Sequence, residues 1–191
     1  MVIVVGDDGS PSLSATQSFV VVVNEVNSAP TLAPIVERTI HQGMTLTITN
    51  SALDLDVPAN QLTYSLSNAP AGASINASVF IWTPAPEQAN STNTITVVIT
   101  DDGSPNLSDA KEFTVTVLPP PTIVSIALVE TNVNIVWTAI AGTTYRVQYK
   151  SDLQEMDWHD LPEEVVAGSD TAMQNDAVGP HAQRFYRILV R

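Results

Sequence analysis

The chain has 191 residues, with 20 acidic side chains against 7 basic ones and no cysteine. A formal net charge of -13 argues against nucleic acid, whose binding rests on clustered Lys and Arg, and against an anionic membrane surface. Without cysteine there is no disulfide framework, thiolate zinc site or cysteine nucleophile. Hydrophobic residues make up 44%, enough for a packed core. No stretch approaches the roughly 18 uninterrupted apolar residues of a membrane helix, so membrane insertion is not expected. An acidic surface of this kind suits solubility, or cations held by converging carboxylates. Met1–Asp7 carries neither the basic region nor the small-residue cleavage site of a signal peptide, so if the parent protein is secreted its signal is not expected in this piece.

In chain order, Val2–Val5, Phe19–Val23, Thr45–Thr49, Leu62–Leu66, Thr94–Thr100 and Phe113–Val117 are short runs rich in Val, Ile and Thr. Thr45–Thr49 and Phe113–Val117 alternate strictly, the pattern of a sheet with one face in water. Asp-Gly-Ser-Pro stands between runs twice, and Asn68–Gly72 and Thr83–Pro86 are further turn clusters. Thirteen prolines and eight glycines punctuate the chain too often for long helices. The reading is all-β, with tandem immunoglobulin-like β-sandwiches.

An internal repeat sets the organisation. Val4–Ser14, containing Asp7-Asp8-Gly9-Ser10-Pro11, returns as Val98–Ser108, containing Asp101-Asp102-Gly103-Ser104-Pro105. The offset from Asp7 to Asp101 is 94 residues, about one immunoglobulin-like sandwich. Residues 1–27 therefore read as the last two strands of a truncated repeat plus a linker, and 28–118 as a complete sandwich. Pro119-Pro120-Pro121 is a stiff linker favouring polyproline II. Residues 122–191 hold five of the seven basic residues and form a separate β domain. The apolar hairpin at the start lacks covering strands, which predicts a homodimer through residues 1–25 by hairpin exchange or edge pairing.

The order Asp56, Leu62–Leu66, Ala69–Ile75, Phe80–Pro84 and Val97–Pro105 resembles cadherin-like repeats, in the dystroglycan-type and putative-immunoglobulin versions of large bacterial surface proteins. Cadherin-type repeats hold calcium near domain junctions with acidic motifs. The resemblance carries over to Asp54 and Asp56 with Asn60, to Asp101 before Gly103-Ser104-Pro105, and to Glu25 and Asn27 in the linker. Calcium takes six to eight oxygens at about 2.3–2.6 Å, which carboxylates and amide carbonyls supply. Ser74–Trp82 contains no acid, Ser28 stands where an Asp is usual, and Glu25 replaces another Asp, so one ion is the ceiling. The plainer alternative makes Asp54, Asp56 and Asp101 turn residues, where Asp is favoured in any case.

Residues 122–191 resemble the fibronectin type III-like terminal segments of large secreted proteins, through Thr144–Lys150, Leu153, Trp158, Leu161, Asp176 and Arg184–Ile188. About 70 residues is short for seven strands, which predicts one strand too few. Trp82 and Trp137 are expected in the core.

His41, His159 and His181 show no metal-ligand or triad spacing, and Glu163-Glu164 reads as a solvated loop pair, so no catalysis is expected. Two functions remain. One is a non-catalytic adhesion or spacer module of a secreted or cell-surface protein, stiffened at its junctions by calcium or proline. The other is an accessory carbohydrate-binding module of a secreted polysaccharide-active enzyme, using Tyr145, Tyr149, Trp158 and Tyr186. In either case the ligand is a protein or glycan surface.

Overall fold

The computed structural model describes residues 1–22, 26–178 and 183–191, and these are strands joined by turns, with one 3-10 turn at Pro86–Gln88. Among them no helix is long and apolar enough to cross a membrane.

Strand β1 (Val2–Gly6) pairs antiparallel with β2 (Ser14–Ser18), Val2 opposite Ser18 and Gly6 opposite Ser14. Every residue of both strands is exposed. The second strand expected at Phe19–Val23 is misplaced by one strand length. Ser14–Ser18 forms the ladder, Phe19 closes it against the Met1 backbone, and Val20–Val22 lie beyond any strand; Val23 is outside the described residues. The reason is physical. A run of valines has strand propensity, but ladder hydrogen bonds need a neighbour, and the register that sets Val2 opposite Ser18 leaves Val20–Val22 without one among the described residues.

Between residues 28 and 118 the strands are β3 (Thr31–Leu32), β4 (Arg38–His41), β5 (Leu46–Thr49), β6 (Ala52–Leu53), β7 (Thr63–Asn68), β8 (Ser74–Asn76), β9 (Val79–Trp82), β10 (Ser91–Thr100) and β11 (Ser108–Leu118). One sheet runs β4-β11-β10-β7, parallel only between β4 and β11. A second runs β5-β9-β8, and β3 pairs with β6. Alternate residues face inward, as the period of two requires: Ile95, Val97 and Ile99 from β10, Phe113, Val115 and Val117 from β11, Phe80 and Trp82 from β9. Phe80 meets Phe113 edge-on at 5.5 Å between ring centres. Trp82 is fully buried, and its indole N–H donates to the Ala71 carbonyl at 3.2 Å. In β10 and β11 Thr100 lies opposite Ser108, so the register of β1 and β2 returns 94 residues later on both strands.

Residues 122–191 give β12 (Ile123–Val129), β13 (Asn132–Thr138), β14 (Thr144–Lys150), β15 (His159–Val166), β16 (Thr171–Ala177) and β17 (Phe185–Val190). They form two three-stranded sheets, β12-β13-β16 and β15-β14-β17, around Ile135, Trp137, Tyr145, Val147 and Leu161. Glu163 and Glu164 do not sit in a loop. They lie on β15, and Glu164 pairs with Arg146 at 2.7 Å across the ladder. Two adjacent acids look like a solvated turn in sequence, but alternation puts one of them beside a cross-strand cation.

Candidate functional site

A polar cluster closes the tip of residues 28–118 where residues 26–28 lead into it. Its base is the turn after β10. Asp101 Oδ1 accepts the Gly103 N–H at 3.1 Å and the Leu107 N–H at 2.9 Å, and Asn106 donates its side-chain amide to the Asp101 carbonyl at 2.7 Å. Asp7 holds the Gly9 and Leu13 N–H groups at 3.1 and 2.9 Å in the same way, so this loop is a property of the local sequence. The two copies differ in what lies above them. Asp7 is exposed, whereas Asp101 is only 3% exposed because residue 27 covers it.

Asn27 spans the cluster. Its amide N–H donates to Asp101 Oδ2 at 3.1 Å and to the Pro105 carbonyl at 2.8 Å. Its Oδ1 accepts from the Asn60 side-chain amide at 2.5 Å. Asn60 also donates to Asp56 Oδ2 at 3.3 Å, and that oxygen receives the Ser28 N–H at 3.0 Å. Asp54 holds the adjoining turn, with Oδ1 accepting from the backbone of Asp56 at 3.0 Å and of Asn60 at 3.3 Å. The turn-residue reading of Asp54 and Asp101 therefore accounts for one oxygen of each. The second oxygen of Asp54 is buried with no hydrogen-bond partner among the described residues. The structure thus brings together Asn27, Asp54, Asp56, Asn60 and Asp101; Glu25, the sixth residue expected here, lies outside the described residues.

Gly103 was not singled out by sequence reasoning as a site residue, but the site needs it. A Cβ there would stand 1.9 Å from Asn27 Oδ1, so only glycine lets the Asn27 side chain lie across the turn. The turn motif itself was the available signal. Electrostatically the cluster sets carboxylates against amide hydrogens. Burial raises the Asp101 pKa, but the Leu107 N–H, the Asn27 amide and the Gly103 N–H outweigh it, and the carboxyl sits below its ordinary value of 3.8. Among the described residues no three His, Cys, Asp or Glu side chains converge on one point. The amide hydrogens of Asn27 and Asn60 stand between Asp101 and Asp56 instead.

The opposite end of the same sandwich carries a second polar contact, which sequence reasoning missed. His41, the last residue of β4, is 2% exposed. Its Nδ1 lies 2.5 Å from the Pro119 carbonyl and its Nε2 2.9 Å from the Tyr145 hydroxyl. The same hydroxyl accepts the Ile140 N–H at 2.7 Å, and the Tyr145 ring packs edge-on against both His41 and Trp137. A single histidine on a strand carries no sequence signal of this, because its partners are 78 and 104 residues away.

The aromatic residues weighed for sugar binding are engaged within the fold. Tyr145 is fully buried. Arg184 lies 4.1 Å from the centre of the Tyr149 ring; Arg187 and Lys150 lie 4.5 and 5.2 Å from that of Trp158. Tyr186 donates its hydroxyl to Asp176 at 2.8 Å, and Arg184 pairs with the same buried carboxylate.

Residues 25–118 match the family described as Putative Ig domain. Among solved structures, protocadherin gamma C5 domains EC1-3 are 25% identical, with 60% of this chain and 42% of that one covered and a TM-score of 0.41. Mouse cadherin-23 EC22-24 is 15% identical over 76% of this chain and 56% of that one, with a TM-score of 0.47. A nucleoside hydrolase-related hypothetical protein from Saccharophagus degradans, described as associated with carbohydrate metabolism, is 21% identical over 48% of this chain and 26% of its own, with a TM-score of 0.36. The chain spans between about a quarter and just over half of the length of these structures. No curated protein matches the chain.

Proposed function

We propose that this chain is a non-catalytic adhesion or spacer segment of an extracellular protein, working by holding successive sandwiches at a fixed angle, a reading supported by the match of residues 25–118 to the family described as Putative Ig domain. The observation that carries the reading is that both ends of the central sandwich are tied by buried polar contacts to the segments beyond them. Asn27 fastens the entering chain to the Asp101 turn, and His41 fastens the leaving chain at Pro119 to the next core at Tyr145. A linker fixed in this way transmits orientation; a flexible one does not. The cations over Tyr149 and Trp158 leave the carbohydrate-binding reading without a bare aromatic platform.

Calcium belongs to the same proposal. The partnerless Asp54 Oδ2, the Asp56 and Asp101 carboxylates and two side-chain amides are a hard-oxygen donor set of the kind calcium takes. Asn27 and Asn60 would present oxygen once their amides turned over. Bound there, the ion would neutralise carboxylates that amide hydrogens now screen, and would stiffen the entry to the sandwich. The test is a thermal melt in millimolar calcium against EDTA. At about 100 times Kd a ligand adds about 2.7 kcal/mol, which moves the transition by several degrees. Equal midpoints would remove calcium from the proposal and leave the spacer reading in place. Small-angle scattering tests that reading separately: it expects one fixed inter-sandwich distance, and a broad distribution at neutral pH would overturn it.

A further inference from the structure

His41 is the one histidine of the described residues that is buried, and it is buried between two sandwiches. The hydrogen bonds around it suit a neutral ring. The Pro119 carbonyl can only accept, so Nδ1 carries the hydrogen. The Tyr145 hydroxyl accepts the Ile140 N–H and, with the neutral ring, donates its own hydrogen to a bare Nε2. In its neutral form His41 is therefore the Nδ1–H tautomer, and its ring forms a relay from the linker backbone to the core of the next sandwich.

We propose that His41 is a pH-responsive latch, which locks residues 28–118 to residues 122–191 while neutral and releases them when protonated. A second proton would go on Nε2, where the Tyr145 hydroxyl keeps its bond to the ring only by turning its own hydrogen away and accepting from both Nε2 and Ile140. The groups facing the ring offer that charge no carboxylate, only neutral oxygens. From the linker comes the Pro119 carbonyl, and from the second sandwich the Tyr145 hydroxyl. The crevice of about 240 Å3 alongside is lined by His41, Leu118, Pro119, Thr122, Thr138 and Ala139, with no acid among them. Among the described residues no ion pair includes His41. The same crevice gives an imidazolium a route to water once the contact opens. Burial holds the His41 pKa below its ordinary 6.5, against the opposing pull of the Pro119 hydrogen bond. The sign follows from that direction. A base whose pKa is depressed in the latched state contributes fully above pH 6.5, and the contribution is lost as pH falls below 6.5 toward the depressed value.

The experiment is small-angle scattering on the intact chain at pH 7.5 and 5.0, with wild type and His41→Gln compared. Wild type is expected to hold a single maximum dimension at pH 7.5 and to broaden at pH 5.0. His41→Gln, which has no titrating ring, is expected to give the same profile at both values. Because His159 is a second histidine, 3.3 Å from Glu155, this comparison is what assigns the effect to His41. A wild-type profile unchanged at pH 5.0, or an equal change in His41→Gln, overturns the latch. Should the variant not fold, the His41 ring resonance of wild type decides. A midpoint below 6.5 coinciding with the loosening supports the latch, and the midpoint of a free histidine overturns it.

Discussion

Replacing Asn27 by Ala removes the side chain on which the N-terminal tip converges. It takes one hydrogen bond from Asp101 Oδ2, one from the Pro105 carbonyl, and the acceptor of the Asn60 amide. A neutral hydrogen bond contributes about 0.5–1.5 kcal/mol net and one to a charged group about 1.5–3. Asn27 is half-buried, which places both at their lower ends. The Asp101 carboxylate cannot simply re-solvate at 3% exposure, though water entering above Gly103 recovers part of the loss. The expected cost is about 2 kcal/mol, which for a unit of 60–100 residues lowers Tm by roughly 8–16 °C. The assay is calorimetry on the intact chain in EDTA, following the transition of the central sandwich. Asn27→Asp is the informative companion. It is nearly isosteric, but it sets a third carboxylate beside Asp101 and Asp56, so it should be destabilised in EDTA and should gain more from calcium than wild type does. An Asn27→Ala transition within a degree of wild type would refute the claim that this side chain fastens the entering strand.

Trp82→Ala and Trp137→Ala should each cost about 3–5 kcal/mol, because both rings are fully buried, and denaturant melts monitored separately for the two sandwiches would read the losses. Unchanged midpoints would place the rings outside the cores. The intact chain should self-associate through residues 1–25, since Val2–Val5 and Val20–Val22 are all more than half exposed, and a chain beginning at Asn27 should not. Light scattering on the two chains checks this, and equal monomers would count against it.

Alternation and turn chemistry made the fold legible. Ile95-x-Val97-x-Ile99 and Phe113-x-Val115-x-Val117 each declare one inward face, and both runs fall within strands whose inward residues are those six. The cluster was legible only through a family resemblance, because Asn27, Asp56 and Asp101 are too far apart in sequence for any spacing rule to join them. Two of its properties were not legible. One is the direction of the amides, which depends on which neighbouring oxygen already has a partner. The other is the clearance above Gly103, which depends on where Asn27 arrives. His41 and Tyr145 are illegible for a related reason: each is an ordinary strand residue until two sandwiches are laid end to end.

The two Asp-Gly-Ser-Pro copies separate what local sequence decides from what context decides. Both fold their loop onto an aspartate oxygen with matching distances, and both place their strands in the same register. Context decides strand length: β11 runs eleven residues because β10 pairs with it from Ser108 to Val117 and β4 pairs in parallel with it from Val115 to Leu118, whereas β2 stops at five although Phe19 and valines follow it. It also decides the electrostatic role of the aspartate. Asp7 and Asp101 both have lowered pKa values, but only hydrogen bonds of its own loop act on Asp7, whereas Asp101 also draws on a side chain 74 residues away. The loop is thus a preformed socket in both copies, and it becomes a junction where the Asn27 side chain from the entering linker reaches it. Placing Asn27 out of reach should therefore loosen the junction without unfolding the loop, which distinguishes a latch from a structural core.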